Sequence, residues 1–231
     1  MKHEFQGLGR VPVTYVFDAY CGWCYGFDAA FSRFAAEHED QIDLQVVSGG
    51  LFTGSKVAPM GSMPYIAASN ERIASLTGVE FGDDYLRMAD DPDFAMDSTA
   101  AATGFAALRG LAPGRTLEIA LAMQRAFYQD GQSLSDPETY RLLAGRLGLD
   151  PAAVVAALAS PQARTDAQED FRRARAFGVD SFPTVLVHLS DGSTGRLGGP
   201  ASTAEQLAGA FVALQRSRTG AVPATTADLT A

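Results

Sequence analysis

The chain has 231 residues, 47% of them hydrophobic, which is enough for a substantial core in one large domain or two small ones. Its 27 acidic residues outnumber 18 basic ones, giving a formal charge of -9 with no Lys/Arg block, so neither nucleic acid nor an anionic membrane is an expected partner. No run approaches the roughly 18 apolar residues of a spanning helix, and Glu4, Gln6 and the early glycines interrupt any apolar stretch of the ~7–15 residues that a secretory signal needs; a soluble cytoplasmic protein is expected.

From Val11 to Asp18 the run VPVTYVFD is β-branched and aromatic, the composition of a buried strand. Phe27, Ala30, Phe31 and Phe34 then recur at helical spacing, predicting an amphipathic helix over about residues 22–38. Ile42, Leu44 and Val46 alternate with polar residues up to Gly49-Gly50, which completes a βαβ unit. The following stretch, 55–159, reads as helices without a convincing strand. Ser135 and Glu138 have the spacing of a capping box, Asp150-Pro151 that of an N-cap followed by proline, and Leu117, Leu121, Phe127 and Tyr128 suggest an apolar stripe. Ser160-Pro161 opens a further helix that stops at Gly178; Thr184 to Leu189 and Thr194 to Leu197 read as a hairpin around Asp191-Gly192, and Thr203 to Arg216 as a last helix.

Both cysteines of the chain lie in the tetrapeptide Cys21-Gly22-Trp23-Cys24, at the junction of the first strand and the first helix. A bridge between them would close almost no loop, so chain stabilisation does not explain the pair. At a helix N-terminus the unpaired N–H groups and the positive end of the dipole favour a thiolate, which marks Cys21 as the exposed attacking sulfur. Cys24, three residues on and on the same side of the first turn, is placed to break a mixed disulfide. Half of a zinc site is the competing reading of the spacing, but there is no third cysteine, and His3, His38 and His188 are scattered; no metal is expected. Proline is costly within a strand, and Phe182-Pro183-Thr184 stands directly before the run Val185 to Val187; a cis peptide bond that sets the residue-182 backbone beside the sulfurs would account for it. Asp18, three residues before Cys21, could serve as a turn acceptor, relay a proton, or raise a thiol pKa by like charge. Of the aromatic residues near the pair, Phe27 belongs to the core and Trp23 is the one expected at the substrate.

The CGWC at the strand–helix junction, the helical insertion and GVDSFPT before the hairpin resemble the DsbA-type branch of the thioredoxin superfamily. Within it, YVFDAYCGWCYGF, VVSGGL and RIASLTGVEFGDDY are similar to the FrnE-like cytoplasmic protein-disulfide isomerases, over about residues 11–216. Ala19 after Asp18 and Ser181 before Phe182 depart from that group's common Pro and Gly. The resemblance implies an α/β thioredoxin-like domain from 1–54 and 160–218, an all-helical insertion at 55–159 and a C-terminal tail at 219–231. It further implies a redox-active Cys21–Cys24 disulfide and a cis Pro183, with Phe182, Trp23, Gly22 and Asp18 shaping the site. Polypeptide thiols and disulfides would be the substrates, glutathione or a thioredoxin system the electron partner, and no cofactor would be needed. A moderate couple, roughly -180 to -270 mV, is expected. The rival readings are a glutathione-linked transferase or isomerase resembling the kappa and hydroxychromene carboxylate types, and a chaperone-like binding module without catalysis.

Overall fold

The computed structural model describes residues 9–218; the early residues weighed above as a secretory signal and the tail at 219–231 lie outside them. Four strands form one sheet in the order β2-β1-β3-β4, comprising β1 Val11–Phe17, β2 Ile42–Ser48, β3 Thr184–His188 and β4 Thr194–Arg196. Helix α1 (Gly22–Glu37) carries the chain back along the sheet, so β1 and β2 pair parallel; β1–β3 and β3–β4 are antiparallel.

Central strand β1 is covered on both faces, and alternate residues point to opposite sides. Val13, Tyr15 and Phe17 pack with Phe27, Phe31 and Phe34 of α1 and with Phe211 of α9 (Ala204–Arg218). Val16 faces the other way, toward Val47, Leu186 and Ala174 of α8 (Pro161–Ala176). Truncating one fully buried ring such as Phe34 to Ala would cost about 3–5 kcal/mol.

Between β2 and α8 the chain forms α2 (Tyr65–Thr77), α3 (Asp83–Ala89), α4 (Ser98–Leu111), α5 (Thr116–Tyr128), α6 (Pro137–Arg146) and α7 (Pro151–Leu158). This is the α/β thioredoxin-type architecture with a helical insertion that the element order suggests. Asp97, Asp136, Asp150 and Ser160 each accept a backbone N–H in the first turn of α4, α6, α7 and α8. Asp136, not Ser135, caps α6: Pro137 is the first helical residue, so the cap falls on its neighbour, whose carboxylate accepts from Glu138 N at 2.9 Å. The buried face of α5 is likewise turned from its expected position, running through Ile119, Ala120, Met123 and Phe127, with Leu117 and Leu121 at its edges. Small residues let α4 approach α8, through Ala102 on Ala167 and Ala106 and Ala107 on Ala163. Among the described residues, no helix is long and apolar enough to cross a membrane.

Candidate active site

Sheet order brings three loops to one edge. Phe17 at the end of β1 pairs with Ser48 at the end of parallel β2, and Val16 pairs with Thr184 at the start of antiparallel β3. The β1–α1 junction, the Gly49–Leu51 loop and the Phe182-Pro183 loop therefore meet, although far apart in sequence. Cys21 is the N-cap of α1, with extended backbone (φ -89, ψ 109), and its sulfur accepts the Cys24 N–H at 3.4 Å. A sulfur held there faces the donors and the positive end of the helix, an arrangement suited to negative charge. On its other side the Cys21 thiol donates to the Phe182 carbonyl at 3.5 Å. The Phe182-Pro183 peptide bond is cis.

Neither sulfur is freely exposed. Cys21 is 5% accessible and Cys24 0%, which corrects the expectation of an exposed Cys21: the Phe182 loop lies across it, leaving a narrow edge for attack. Burial, followed by the hydrogen bond and the charge of Cys21, pushes the Cys24 thiol well above its usual range. Cys24 thus holds its proton until some group takes it.

Asp18 is 1% exposed, and its carboxylate accepts four hydrogen bonds: from Tyr20 N (2.9 Å), Gly50 N (3.1 Å), Leu51 N (2.8 Å) and Ser98 Oγ (3.0 Å). It therefore ties the β1 end to the loop after β2 and to the start of α4. Burial raises its pKa although those donors oppose the shift. Of the readings open to it from sequence, the acceptor geometry is the one on view.

The glycines admit side chains that a Cβ would exclude. A Cβ on Gly49 would lie 2.0 Å from the Phe182 ring, so Phe182 rests flat on that backbone. Gly22 and Gly26 let α2 approach α1, where a Cβ would meet Ile73 at 2.9 and 2.7 Å respectively. Trp23 is half-buried, with the Arg72 guanidinium 6.0 Å from its ring centre. Tyr20, Tyr25 and Phe27 are all buried, and the Tyr20 hydroxyl accepts the Leu134 N–H at 3.0 Å.

Several residues of the site were not singled out from sequence. Ser98 and the Gly49 platform come from distant segments and carry no local signal beyond the glycine pair itself.

A four-stranded sheet with two cysteines at the β1–α1 junction and a proline loop against them defines a thioredoxin-type redox domain. The chain belongs to the DSBA-like thioredoxin domain family, whose model matches residues 12–212, and thereby to the DsbA-like disulfide oxidoreductases and isomerases. The cytosolic disulfide reductase DsbM from Pseudomonas aeruginosa superimposes with a TM-score of 0.73 at 26% identity, over 88% of this chain and 98% of that one. A Nitrosomonas europaea protein assigned as a protein disulfide isomerase gives a TM-score of 0.79 at 19% identity, over 90% and 98% of the two chains. Reduced DsbA1 from Neisseria meningitidis gives 0.56 at 17%, over 93% and 88%; these last two likenesses speak for the fold alone. No curated protein matches the chain.

Proposed function

We propose that this protein is a cytoplasmic thiol-disulfide oxidoreductase of the FrnE-like group that reduces or reshuffles disulfides through Cys21 and Cys24. The observation that carries the reading is the position of Cys21, whose sulfur caps α1 and touches the carbonyl before cis Pro183. The Cys21 thiolate attacks a substrate disulfide, forming one S–S bond and releasing one substrate thiolate. Cys24 then attacks Cys21, the mixed disulfide breaks, and the second substrate sulfur leaves as the Cys21–Cys24 disulfide forms. Residue 182 offers backbone beside the sulfurs for an extended substrate chain, with Trp23, Gly22 and Pro183 shaping the approach and Asp18 holding the loops around it. Residues 1–54 and 160–218 form the redox domain in this reading, and the insertion at 55–159 closes over it.

Polypeptide disulfides are the proposed substrates, and glutathione the proposed electron partner. Support for glutathione comes from the Pseudomonas aeruginosa reductase, which is 26% identical and has been solved with GSH. The test is trapping. Reduced Cys24→Ser protein mixed with glutathione disulfide or a peptide disulfide should accumulate a mixed disulfide on Cys21, and Cys21→Ser should accumulate none. Substoichiometric iodoacetamide should label Cys21 first. Preferential labelling of Cys24, or disulfide exchange surviving in Cys21→Ser, would overturn the assignment; the second result is what a chaperone-like module predicts.

A further inference from the structure

A single cation lies against the outer side of the Cys21–Cys24 segment. Asn70, Ile73 and Tyr128 close on Gly22, and the Arg72 guanidinium stands 6.0 Å from the centre of the Trp23 ring; of these four, only Arg72 carries a charge. Resting on the oxidoreductase reading above, we propose that Arg72 is a specificity-determining residue: it binds a carboxylate carried close to the sulfur of the incoming disulfide, so that anionic disulfides are the preferred substrates.

The sequence of α2 leaves Arg72 without a partner of its own. Arg33, Arg87, Arg115 and Arg141 each pair with a carboxylate three or four residues away on the same helix or at its start. The corresponding neighbours of Arg72 are Ala68, Ser69, Ser75 and Leu76, none of them an acid. Glu71, next to it in the chain, is turned about 100° around the helix and lines a different cleft, with Met60, Met63 and Phe81. Among the described residues Arg72 makes no ion pair or hydrogen bond, and its one close contact is the face of Trp23. In a chain of formal charge -9, an exposed guanidinium left open beside the reactive pair is a binding group in search of an anion.

The placement is set by the packing of α2 on α1. Ile73 is buried against Gly22 and Gly26, where a Cβ would stand 2.9 and 2.7 Å from its methyl carbons, so the two helices meet closely at the start of α1. Arg72, one position back on α2, then falls over Trp23 rather than over the core. A guanidinium stacks on an indole by its flat face and keeps its N–H edge free, and that edge matches the two oxygens of a carboxylate. Stacking also restrains a long side chain before the ligand arrives, so less freedom is lost on binding. Trp23 borders the approach to Cys21 in the reading above, which brings a carboxylate a few bonds from the substrate sulfur within reach. Glutathione carries such groups, and so does a polypeptide with Asp or Glu next to its cysteine. Arg72 exchanges no proton or electron; the bonds made and broken are those of the exchange already described.

The test varies the charge of the disulfide at constant leaving group. Reduced protein is mixed with the mixed pyridyl disulfides of glutathione, mercaptoethanol and cysteamine, and the absorbance of released thiopyridone reads attack by Cys21 on an anionic, a neutral and a cationic half. Two cysteine peptides activated in the same way, with Asp or Asn beside the cysteine, separate an acidic polypeptide from glutathione as the source of the carboxylate. Arg72→Gln should slow attack on the glutathione compound, on the Asp peptide, or on both by about fivefold, and leave the mercaptoethanol compound within about twofold. Arg72→Glu should deepen the loss to about 20-fold and speed the cysteamine compound, and Arg72→Lys should recover part of it. Glutamine at an exposed helical site keeps the helix, so the variant should fold. Arg33→Gln, about 15 Å beyond Trp23 along α1, makes the same change in net charge and should leave every rate within about twofold. Loss confined to glutathione assigns the tripeptide, and loss confined to the Asp peptide assigns the polypeptide; either upholds the proposal. Unchanged rates for both in Arg72→Gln would overturn it, as would equal slowing with every compound, which would place the effect on the Cys21 thiolate instead of on the substrate. If wild type releases thiopyridone no faster than Cys21→Ser, the oxidoreductase reading itself fails.

Discussion

Gly49→Ala tests whether the Phe182 loop governs the chemistry of Cys21. The new Cβ would stand 2.0, 2.4 and 2.7 Å from three ring carbons of Phe182, whereas carbon atoms pack at about 3.5–4.0 Å, so the ring must retreat by about 1 Å or more. Its backbone is bound to move with it, because Phe182 is held between the Cys21 contact through its carbonyl and the cis bond to Pro183. Overpacking of this kind costs about 1–3 kcal/mol, or roughly 2–12 °C in Tm for a chain of this length. Gly54→Ala is the control, since Gly54 has φ +56 with nothing within 4 Å of its Cβ, and it should cost about 1 kcal/mol of backbone strain without touching the site. Thermal unfolding measures the first effect. Stopped-flow alkylation of Cys21 measures the second and should change in Gly49→Ala but not in Gly54→Ala. Unaltered Cys21 reactivity in a Gly49→Ala protein that is destabilised as expected would show that the Phe182 contact does not control the sulfur.

Arg109→Leu should destabilise the fold by about 3–5 kcal/mol in urea titrations, toward the lower end because the Arg109 side chain is 21% exposed; it leaves Asp170, 2% exposed and 2.7 Å from the guanidinium, with Ser48 N as its remaining donor. Stability should peak on the acidic side of neutrality: burial raises the carboxyl pKa of Asp18, Asp28 and Asp170, so between their unfolded values near pH 4 and their folded ones the native state binds more protons than the unfolded state, and stability falls as pH rises. Tm measured against pH should therefore decline from about pH 5 upward, and the decline should be shallower in Asp28→Asn; an equal slope in that variant would show that Asp28 does not hold its proton in the folded state. Trp23, the single tryptophan, lies between the two cysteines in the sequence and should report the redox transition by quenching in the disulfide form; a glutathione titration is expected to give roughly -180 to -270 mV, and a value near roughly -120 mV would refute a reducing or reshuffling role.

Local pattern carried much of this protein into view. The strand at Val11, the helix with Phe27, Phe31 and Phe34 on one side, and the returning strand at Ile42 are periodicities of two and 3.6, which a chain displays before it folds. Because a strand that ends at a helix start must place the first cysteine at the helix N-terminus, the Cys21–Cys24 geometry was equally legible. Tertiary structure alone decided what surrounds those sulfurs. The four donors on Asp18 come from residues 2, 32, 33 and 80 positions away, and the carbonyl on Cys21 from 161 positions away. Such contacts depend on which strand ends share one edge of the sheet, an outcome of strand order rather than of any local spacing. For the same reason the near-complete burial of Cys21 and the seating of Phe182 on Gly49 became visible when the loops were brought together, and the turn of α5 toward Ile119 and Met123 was set by the neighbours it packs against rather than by its own apolar residues.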